Sequence, residues 1–413
     1  MFLKLNYPTQ TLKDKWIPLE NNVTLFSAFY DNRKFRPRPV LVVLGLEKQS
    51  DRSTRYKCLV SYRNGRKITL RDSSPLQVLT RVHWAGVDKR GGKILNHRPF
   101  SYLCVLPTSE IPECVTIAPD RSHFTKFPHF ENHSEKVIDS QKFALVTNRK
   151  NIKRTFSFGV CISSPIFKVD DPQQLVDTFE MNRLLGAEFF TVYTYKVSGK
   201  PLEILETYSK DHLAEVVTNW GSNFPGEAHY YGQLLSITDC LYRNIYRVKY
   251  LVYTDFDEVV VPLRHPSWSA LMKDLDGPNK GSFNFEMVYL RGIQGLGTTH
   301  EAAVNCPSGV KITLKSSRYA TFAKRSVAVG FISRRTKYIT KTNVTLIAQI
   351  HYAEKLVHGY AKVDVPVLSG LLYHYRVPYS TSRHIKAWVM DGVVKRYLTR
   401  LFTAVKNFMC RLS

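Results

Sequence analysis

The stretch YLVYTDFDEVVVP, residues 250–262, decides how this sequence is interpreted. An apolar run leads directly into Asp255, Asp257 and Glu258, and a second apolar run follows and ends at Pro262. Burying an unpaired charge is costly. Three carboxylates beside a buried strand therefore have to face a crevice or meet a charge of opposite sign.

Strands alternate with helices in the residues that precede this stretch. The predicted strands cover residues 156–162, 189–193 and 214–218. The predicted helices cover residues 175–185, 201–209 and 231–245. This alternation is typical of βαβ units and a mainly parallel sheet, in which residues 250–253 form the fourth strand. Ligands of open α/β sheets bind beyond the carboxyl ends of the strands, so we expect the three acids to line a crevice there.

The first part of the chain has a different pattern. Short β-prone runs at 40–44, 56–62 and 102–106 are separated by turn signals. We predict a smaller β-rich N-terminal domain over residues 1–150, an α/β domain over residues 151–413, and a polar linker at 131–153. The total of 413 residues also exceeds an ordinary single-core domain. Within the second domain, residues 281–289 are predicted to form one strand.

The charge favours anionic ligands. The chain carries 59 Lys and Arg against 34 Asp and Glu, a net charge of +25, which attracts phosphate-bearing and other acidic molecules. The basic residues are scattered, without a helix-turn-helix, zinc-finger or basic-stripe pattern, so we expect no nucleic-acid partner. The seven cysteines form no C-x-x-C pair, which argues against a zinc or thioredoxin-type site.

Segments for membrane insertion are not visible. The longest early apolar run, residues 40–46, is far shorter than a membrane-spanning helix, and the first 15 residues are too polar for a signal peptide. We therefore expect any membrane association to come from an anchor outside this chain. Three N-x-S/T sequons, at Asn22, Asn132 and Asn343, are acceptor sites for glycosylation in a secretory compartment.

The Asp-x-Asp of the central stretch has two functional interpretations. Its carboxylates can hold Mg²⁺ or Mn²⁺, which bridges and stabilises the diphosphate of a ligand. Alternatively, Asp255 is the nucleophile of a haloacid-dehalogenase-like phosphatase, because residues 255–259 match that Asp-x-Asp-x-Val pattern. A solvated strand end with no ligand is the structural alternative.

The rest of the chain separates the two functional interpretations. The phosphatase pattern needs an acidic pair further along the chain, and the aspartates after Asp257 are Asp274, Asp276, Asp364 and Asp391, none of them in that context. Its Asp-x-Asp should also follow the first strand of the domain, whereas three βα units come first here. This favours the interpretation in which the carboxylates hold a divalent cation against the diphosphate of a ligand.

Several ordered segments make the α/β part resemble glycosyltransferase family 92, also called DUF23. They are residues 160–165, 176–180, 183–187, 189–193, 231–233, 239–243, 253–258, 335–339 and 374–376. The resemblance implies a GT-A fold, with a Rossmann-like sheet, in which Asp-x-Asp holds Mn²⁺, or Mg²⁺, against the diphosphate of a UDP-sugar. Relatives in this family are Golgi membrane proteins that transfer galactose from UDP-galactose to glycan acceptors, like the animal beta-galactosyltransferases.

The resemblance also implies roles for individual residues. The expected metal ligands are Asp255 and Asp257, with Asp257 direct and Asp255 facing the donor ribose or a metal-bound water, and either His351 or His374 completes the site. The donor-binding candidates are Ser163, Glu180, Tyr193, Gln233, Asp239, Asp255, Arg335, Lys337 and Arg376. The catalytic candidates are Asp255, Asp257 and a base, for which we choose Glu286 over Glu301, since an inverting transfer needs a carboxylate to deprotonate the acceptor.

The number of cysteines does not by itself identify the redox compartment. If the compartment is an oxidising lumen, we expect Cys161 and Cys240 to be structural rather than catalytic, and Cys104 and Cys114 are close enough in sequence to form a local bridge. A cationic glycan-binding protein that has lost catalysis is the non-enzymatic alternative, which predicts glycan binding without donor turnover.

Overall fold

The computed structural model divides the chain into two compact units. The first comprises Met1–Lys150 and Thr218–Ala228, and the second comprises Asn151–Val217 and His229–Ser413. The residues that the structure describes are 15–19, 22–48, 56–62, 67–70, 73–75, 87–88, 93–94, 97–119, 142–148, 155–221, 224, 228–292, 301–327, 336–376, 385 and 387–413.

The first unit is built from antiparallel β-sheets. Its described strands are β1 Ile17–Pro18, β2 Val23–Asp31, β3 Val40–Lys48, β4 Tyr56–Ser61, β5 Lys67–Leu70, β6 Ser73–Pro75, β7 Val87–Asp88, β8 Lys93–Ile94, β9 His97–Val105, β10 Cys114–Pro119 and β11 Ala144–Leu145. One sheet has the order β1-β2-β3-β9-β6 and another the order β11-β10-β4-β5. Their apolar side chains form one core.

Three sequence predictions change in this unit. Cys104 forms its disulfide with Cys58 instead of Cys114, because Cys58 on β4 and Cys104 on β9 both lie in the core that the two sheets share. The predicted linker 131–153 is partly inside the unit, since Val146 is buried in its core and β11 pairs with β10. Residues 218–228 also belong here, because the Trp220 ring packs against Trp16, with ring centroids 5.3 Å apart.

The second unit combines sheets with helices. Its described strands are β12 Phe156–Ile162, β13 Phe189–Tyr193, β14 Ala214–Val217, β15 Val248–Thr254, β16 Glu258–Pro262, β17 Lys280–Phe285, β18 Met287–Arg291, β19 Glu301–Asn305, β20 Lys311–Lys315, β21 Lys324–Ser326, β22 Lys337–Lys341, β23 Thr345–Ala348, β24 Ala353–Leu356, β25 Ala361–Asp364, β26 Gly370–His374 and β27 Trp388–Met390. Its described helices are α1 Gln173–Leu185, α2 Lys200–Lys210, α3 Gln233–Asn244, α4 Trp268–Leu275, α5 Arg318–Thr321 and α6 Lys395–Arg411.

A seven-stranded sheet organises this unit, in the order β14-β13-β12-β15-β22-β17-β25. The four strands β14, β13, β12 and β15 are parallel, and helices connect them as the sequence pattern predicts. The sheet is nevertheless mixed, because β22 runs antiparallel to both β15 and β17. The apolar residues of β12 and β13 pack against α1, which ends at Gly186 with a left-handed φ of 124°.

A second, five-stranded sheet has the order β16-β26-β18-β21-β27. It explains why residues 281–289 are not one strand, as the sequence predicted. The chain leaves the first sheet after Phe285 and enters the second at Met287, so Glu286 lies in the break between them. The central stretch makes the same crossing, since β15 belongs to the first sheet and β16 to the second.

Two disulfides strengthen the second unit. Cys161 on β12 is bonded to Cys240 on α3, and Cys306 is bonded to Cys410 on α6. The Cys161–Cys240 disulfide links β12 covalently to α3. Both elements carry or adjoin residues of the candidate site described below. None of the described helices combines the length and the apolar character that a membrane crossing requires.

A buried polar network lies where α3 meets the edge of the parallel sheet. Tyr193 donates a hydrogen bond to Asp239 at 2.5 Å, and Arg243 pairs with both Asp239 and Glu215 at 2.7 Å. Arg247 also contacts Glu215. Burial works to raise the pKa of Glu215, but the two guanidinium groups outweigh it and lower this pKa to about 2 from an ordinary 4.5.

The network predicts a dependence of stability on pH. A carboxyl group with a depressed pKa stabilises the folded state above its unfolded pKa, and this contribution is lost as the pH falls through the folded pKa. We therefore expect Glu215→Gln to lower the free energy of unfolding at pH 7, by an amount that shrinks as the pH falls from about 4.5 towards 2. Urea unfolding of both proteins at a series of pH values measures this. A difference that stays constant below pH 4.5 contradicts the assignment.

Candidate active site

The candidate site lies at the carboxyl end of β15, where the chain turns from the first sheet into the second. The turn is short, because the Glu258 amide donates to the Asp255 carbonyl at 3.1 Å. The parallel strand β12 ends beside it, since the Ser163 amide donates to the Thr254 carbonyl at 2.8 Å. The two aspartates therefore lie at the edge predicted for ligand binding in open α/β sheets.

Asp255 is held by side chains from three elements. Ser164, just after β12, donates to Asp255 Oδ1 at 3.0 Å, and Gln233 Nε2 at the start of α3 donates to the same oxygen at 3.3 Å. Lys337 Nζ, at the start of β22, donates to Asp255 Oδ2 at 2.8 Å. Both carboxylate oxygens of Asp255 thus have protein partners, and its orientation is fixed.

Lys337 explains how three acids are tolerated beside a buried strand. Its side chain is only 1% exposed, and Nζ lies 3.6 Å from Glu258 Oε2 in addition to its contact with Asp255. Glu258 is also buried, and it accepts a hydrogen bond from the Asp255 amide at 2.9 Å. Burial raises the pKa of Glu258. Burial works to lower the pKa of Lys337, but the carboxylates of Asp255 and Glu258 outweigh burial and raise this pKa overall. Lys337 is therefore an internal counter-charge.

Asp257 faces a different partner. His374, the last residue of β26, is opposite Glu258 in the antiparallel register, and its Nε2 lies 3.3 Å from Asp257 Oδ2. The Tyr375 amide donates to the Asp257 carbonyl at 2.8 Å, which fixes the turn to β26. Burial works to raise the pKa of Asp257, but His374 and Arg318 lower it overall. Burial works to lower the pKa of His374, but the carboxylates of Asp257 and Glu258 outweigh burial, and the pKa of His374 is raised overall.

The donor atoms of this pair suit a hard or borderline divalent cation. A carboxylate oxygen and an imidazole nitrogen are ligands that Mn²⁺ accepts, and His374 Nδ1 is buried without a hydrogen-bond partner. In the part of the chain that the structure describes, no three His, Cys, Asp or Glu side chains are grouped so that they could enclose a metal. A cation bound by Asp257 and His374 would therefore need further ligands, such as water or the phosphates of a substrate.

The sequence comparison identifies the family. The family model for glycosyltransferase family 92 matches residues 156–402, which include β15, the Asp-x-Asp turn, Lys337 and His374. The chain belongs to glycosyltransferase family 92. The expected resemblance is therefore confirmed, and the family supports glycosyltransferase activity.

Individual relatives of this family 92 chain are distant. The beta-1,4-galactosyltransferase galt-1 of Caenorhabditis elegans is 22% identical over 374 residues, which are 88% of this chain and 76% of that protein. Among solved structures, a mycobacterial protein matches with 13% identity and a TM-score of 0.29 over 60% of this chain and 74% of its own. The glucosyl-3-phosphoglycerate synthase of Mycobacterium tuberculosis, solved with Mn²⁺, UDP and glucosyl-3-phosphoglycerate, matches with 11% identity and a TM-score of 0.28 over 60% of this chain and 80% of its own. TM-scores of this size do not establish a shared fold.

The structure brings some of the predicted donor-binding residues of this family 92 chain to the site. Gln233 and Lys337 contact Asp255 directly. Ser163 is fully buried at the end of β12, with an Oγ that has no hydrogen-bond partner, while its neighbour Ser164 makes the contact to Asp255. The position of this segment was predicted, but the serine that touches the motif was not.

Three other candidates lie in buried structural contacts. Tyr193 donates to Asp239, Asp239 also accepts from Arg243 in the network described above, and both Tyr193 and Asp239 are fully buried. Glu180, on α1, accepts hydrogen bonds from Arg183 at 2.9 Å and from Tyr208 at 2.8 Å. The carboxylate and hydroxyl groups of these three residues are thus used inside the fold, and their role in binding the donor stays a prediction.

The remaining candidates divide as follows. His351 Nδ1 lies 3.1 Å from the Thr336 carbonyl, whereas His374 is the candidate histidine that lies against Asp257. Arg376 is exposed two residues after His374, and Glu301 is exposed on β19. Arg335 lies outside the described residues.

Glu286 lies in the break between the two sheets. Its carbonyl accepts a hydrogen bond from the Leu372 amide at 2.8 Å. Leu372 lies on β26, two residues before His374. Glu286 Oε1 is buried without a hydrogen-bond partner. This oxygen is therefore an unsatisfied acceptor next to β26, the strand that ends at His374.

Sequence analysis missed Arg318. Its Nη2 donates to Thr178 Oγ1 at 3.2 Å, and its guanidinium lies 5.0 Å from the centre of the Phe256 ring, between the two aspartates in sequence. Thr178 in turn donates to the Phe256 carbonyl at 3.3 Å. Arg318 Nε is buried without a hydrogen-bond partner. No motif surrounds Arg318, so only the fold reveals that its charge faces the site.

Proposed function

We propose that this chain is a metal-dependent, inverting glycosyltransferase of GT-A type that transfers galactose from UDP-galactose to a glycan acceptor. The observation that carries the proposal is the pairing of Asp257 with His374 beside Asp255, whose orientation Lys337 fixes. Family membership supports the reaction class. The name of the Caenorhabditis elegans relative supports galactose as the transferred sugar.

Asp257 and His374 would hold the cation, which we propose to be Mn²⁺ or Mg²⁺. When bound, it offers Lewis-acid stabilisation to the charge that develops on the leaving diphosphate. For His374 to act as a ligand, its ring has to be neutral and lose the proton that it shares with Asp257. Asp255 does not need to join the metal, because Ser164, Gln233 and Lys337 hold it in place.

Arg318 and Glu286 supply the remaining chemistry. Arg318 presents a guanidinium with an unused N–H beside the motif, and such a group binds phosphate oxygens in a bidentate manner. Glu286 takes the proton of the acceptor hydroxyl as that oxygen bonds to the anomeric carbon of the sugar and the bond to the diphosphate oxygen breaks. Because the acceptor attacks the anomeric carbon from the face opposite the leaving diphosphate, the configuration at that carbon is inverted.

The proposed location is the lumen of the secretory pathway. Three disulfides join cysteines of this chain, and disulfides persist in oxidising compartments. Asn22 and Asn343 of the predicted sequons are exposed in turns, where glycans can be accommodated. The β-rich first unit is proposed to contribute to the recognition of the glycan acceptor.

A screen of UDP-sugars tests the proposal. We expect the wild-type chain to hydrolyse or transfer UDP-galactose faster than other UDP-sugars, and only when Mn²⁺ or Mg²⁺ is present. Glu286→Gln should abolish most transfer while it leaves UDP binding unchanged, since a base acts on the acceptor and not on the nucleotide. Glycan binding without turnover of any UDP-sugar would instead support an inactive glycan-binding protein. A phosphorylated Asp255 would support the phosphatase.

A further inference from the structure

Three aromatic side chains are in contact beyond the carboxyl ends of β12 and β13. The rings of Tyr195 and Tyr231 have centroids 4.1 Å apart and are nearly parallel, at 22°. The ring of Phe167 lies 5.1 Å from that of Tyr231. We call Phe167, Tyr195 and Tyr231 the aromatic platform.

The platform is close in the chain to the residues that hold Asp255. Phe167 comes three residues after Ser164, and Tyr231 comes two residues before Gln233. Because two residues span at most about 7 Å, the Cα of Tyr231 lies no further than this from the Cα of Gln233. The platform therefore lies near two of the side chains that hold Asp255, at the ends of the parallel strands β12 and β13.

The backbone holds the platform together. The Ile166 amide donates to the Tyr193 carbonyl at 2.8 Å, and the Tyr195 amide donates to the Ile166 carbonyl at 2.7 Å. This extension of the β12–β13 pairing keeps Phe167 and Tyr195 on neighbouring strand ends. Tyr231 reaches them from the turn that precedes α3.

That turn adopts an unusual backbone conformation. Among the described residues, five non-glycine residues have positive φ, and three of them flank or form the platform: Lys196 at 56°, Tyr230 at 43° and Tyr231 at 55°. Left-handed backbone is unfavourable for bulky side chains, and such positions cluster at ligand sites. In this conformation the ring of Tyr231 stacks on the ring of Tyr195.

Apolar ring surface remains accessible at this point. The side chain of Phe167 is 47% exposed, although it is large and apolar, and Tyr195 and Tyr231 are half-buried. Lys196 adds a positive charge, with its Nζ 5.4 Å from the centre of the Tyr195 ring. The group thus offers flat aromatic surface beside a cation, which suits a planar ring attached to an anionic chain.

We propose that the aromatic platform binds the nucleobase of the donor nucleotide by stacking. The inference rests on the proposed function, because a nucleoside diphosphate places its base one ribose away from its phosphates. With the diphosphate at Asp257, His374 and Arg318, the ribose lies near Asp255 and Gln233, and the base reaches the platform. Stacking on aromatic side chains is a general way to bind a base, because every base has a flat π-face.

Titrations with two ligands test this inference. UDP carries the base, and inorganic pyrophosphate has the same charged group without it. We expect Tyr231→Asn to weaken UDP binding about tenfold in the presence of Mn²⁺, with the dissociation constant of pyrophosphate unchanged. Asparagine tolerates left-handed backbone and therefore removes the ring without adding strain. Phe167→Ala changes an exposed residue and should weaken UDP binding in the same direction.

Two control variants test whether the loss of UDP binding is specific to the rings of the platform. Phe402→Ala removes a similarly exposed aromatic ring, 49% exposed on α6, and should leave both dissociation constants as in the wild type. Tyr231→Phe keeps the ring and should retain UDP binding. The inference is overturned if UDP binds Tyr231→Asn and Phe167→Ala within twofold of the wild type, or if only the KM for the acceptor rises, which would make the platform an acceptor surface. A wild-type chain that binds neither ligand contradicts the proposed function itself.

Discussion

Asp257→Ala is expected to lower the turnover of UDP-galactose by about a thousandfold or more. The substitution removes one of two side chains that we assign to the metal, and a bound metal contributes several kcal/mol to the stabilisation of the leaving group, where each 1.4 kcal/mol is a factor of about ten in rate. Initial rates of UDP release at saturating Mn²⁺ measure the effect. A parallel titration with Mn²⁺ should show that the variant has lost affinity for the ion.

Asp274→Ala is the matched control for that variant. Asp274 belongs to the same unit, but its side chain is 66% exposed and pairs with His265 on the surface. Its removal should leave the rate and the affinity for Mn²⁺ within about twofold of the wild type. If Asp257→Ala also stays within a few-fold of the wild-type rate, Asp257 does not hold a catalytic metal.

Lys337→Met is expected to destabilise the fold strongly, by about 3–5 kcal/mol. Methionine has a similar volume but leaves Asp255 and Glu258 without their shared counter-charge, and Glu258 is only 5% exposed. A buried carboxylate without a partner costs more free energy than the loss of a surface ion pair. Urea unfolding at pH 7 measures the difference in free energy of unfolding.

Lys341→Met serves as the control for Lys337→Met. Lys341 lies on the same strand β22, but its side chain is more exposed and its partner Asp276 is partly solvated, with a contact of 2.6 Å. We expect its loss to cost about 1 kcal/mol or less. Equal destabilisation by the two variants would show that Lys337 is not a special counter-charge.

The sequence predicted those features that depend on local patterns. The βα alternation follows from hydrophobic period and from capping residues such as Gly186, and the structure places strands and helices close to the predicted ranges. Asp255 and Asp257 could be singled out because an Asp-x-Asp directly after an apolar run is visible in one stretch. The two aspartates required no knowledge of distant residues.

Features that depend on long-range packing could not be predicted in this way. Arg318 reaches the motif only because α5 packs near α1 through Thr178, and nothing around it in the sequence marks it. Cys104 pairs with Cys58 because of sheet packing, although Cys114 is closer in sequence. Asp239 matched a family segment, yet its carboxylate is used by Tyr193 and Arg243 inside the fold. A matching segment indicates the family and not the role of each residue.

The central claim is that this family 92 chain binds the diphosphate of a UDP-sugar through a cation at Asp257 and His374. Isothermal titration of UDP into the wild-type chain, with Mn²⁺ and then with a chelator, tests it most directly. We expect UDP to bind with Mn²⁺ present, to lose most of its affinity with the chelator, and to lose it equally in His374→Ala. UDP binding that is unchanged by the chelator, or absent under both conditions, would contradict the claim.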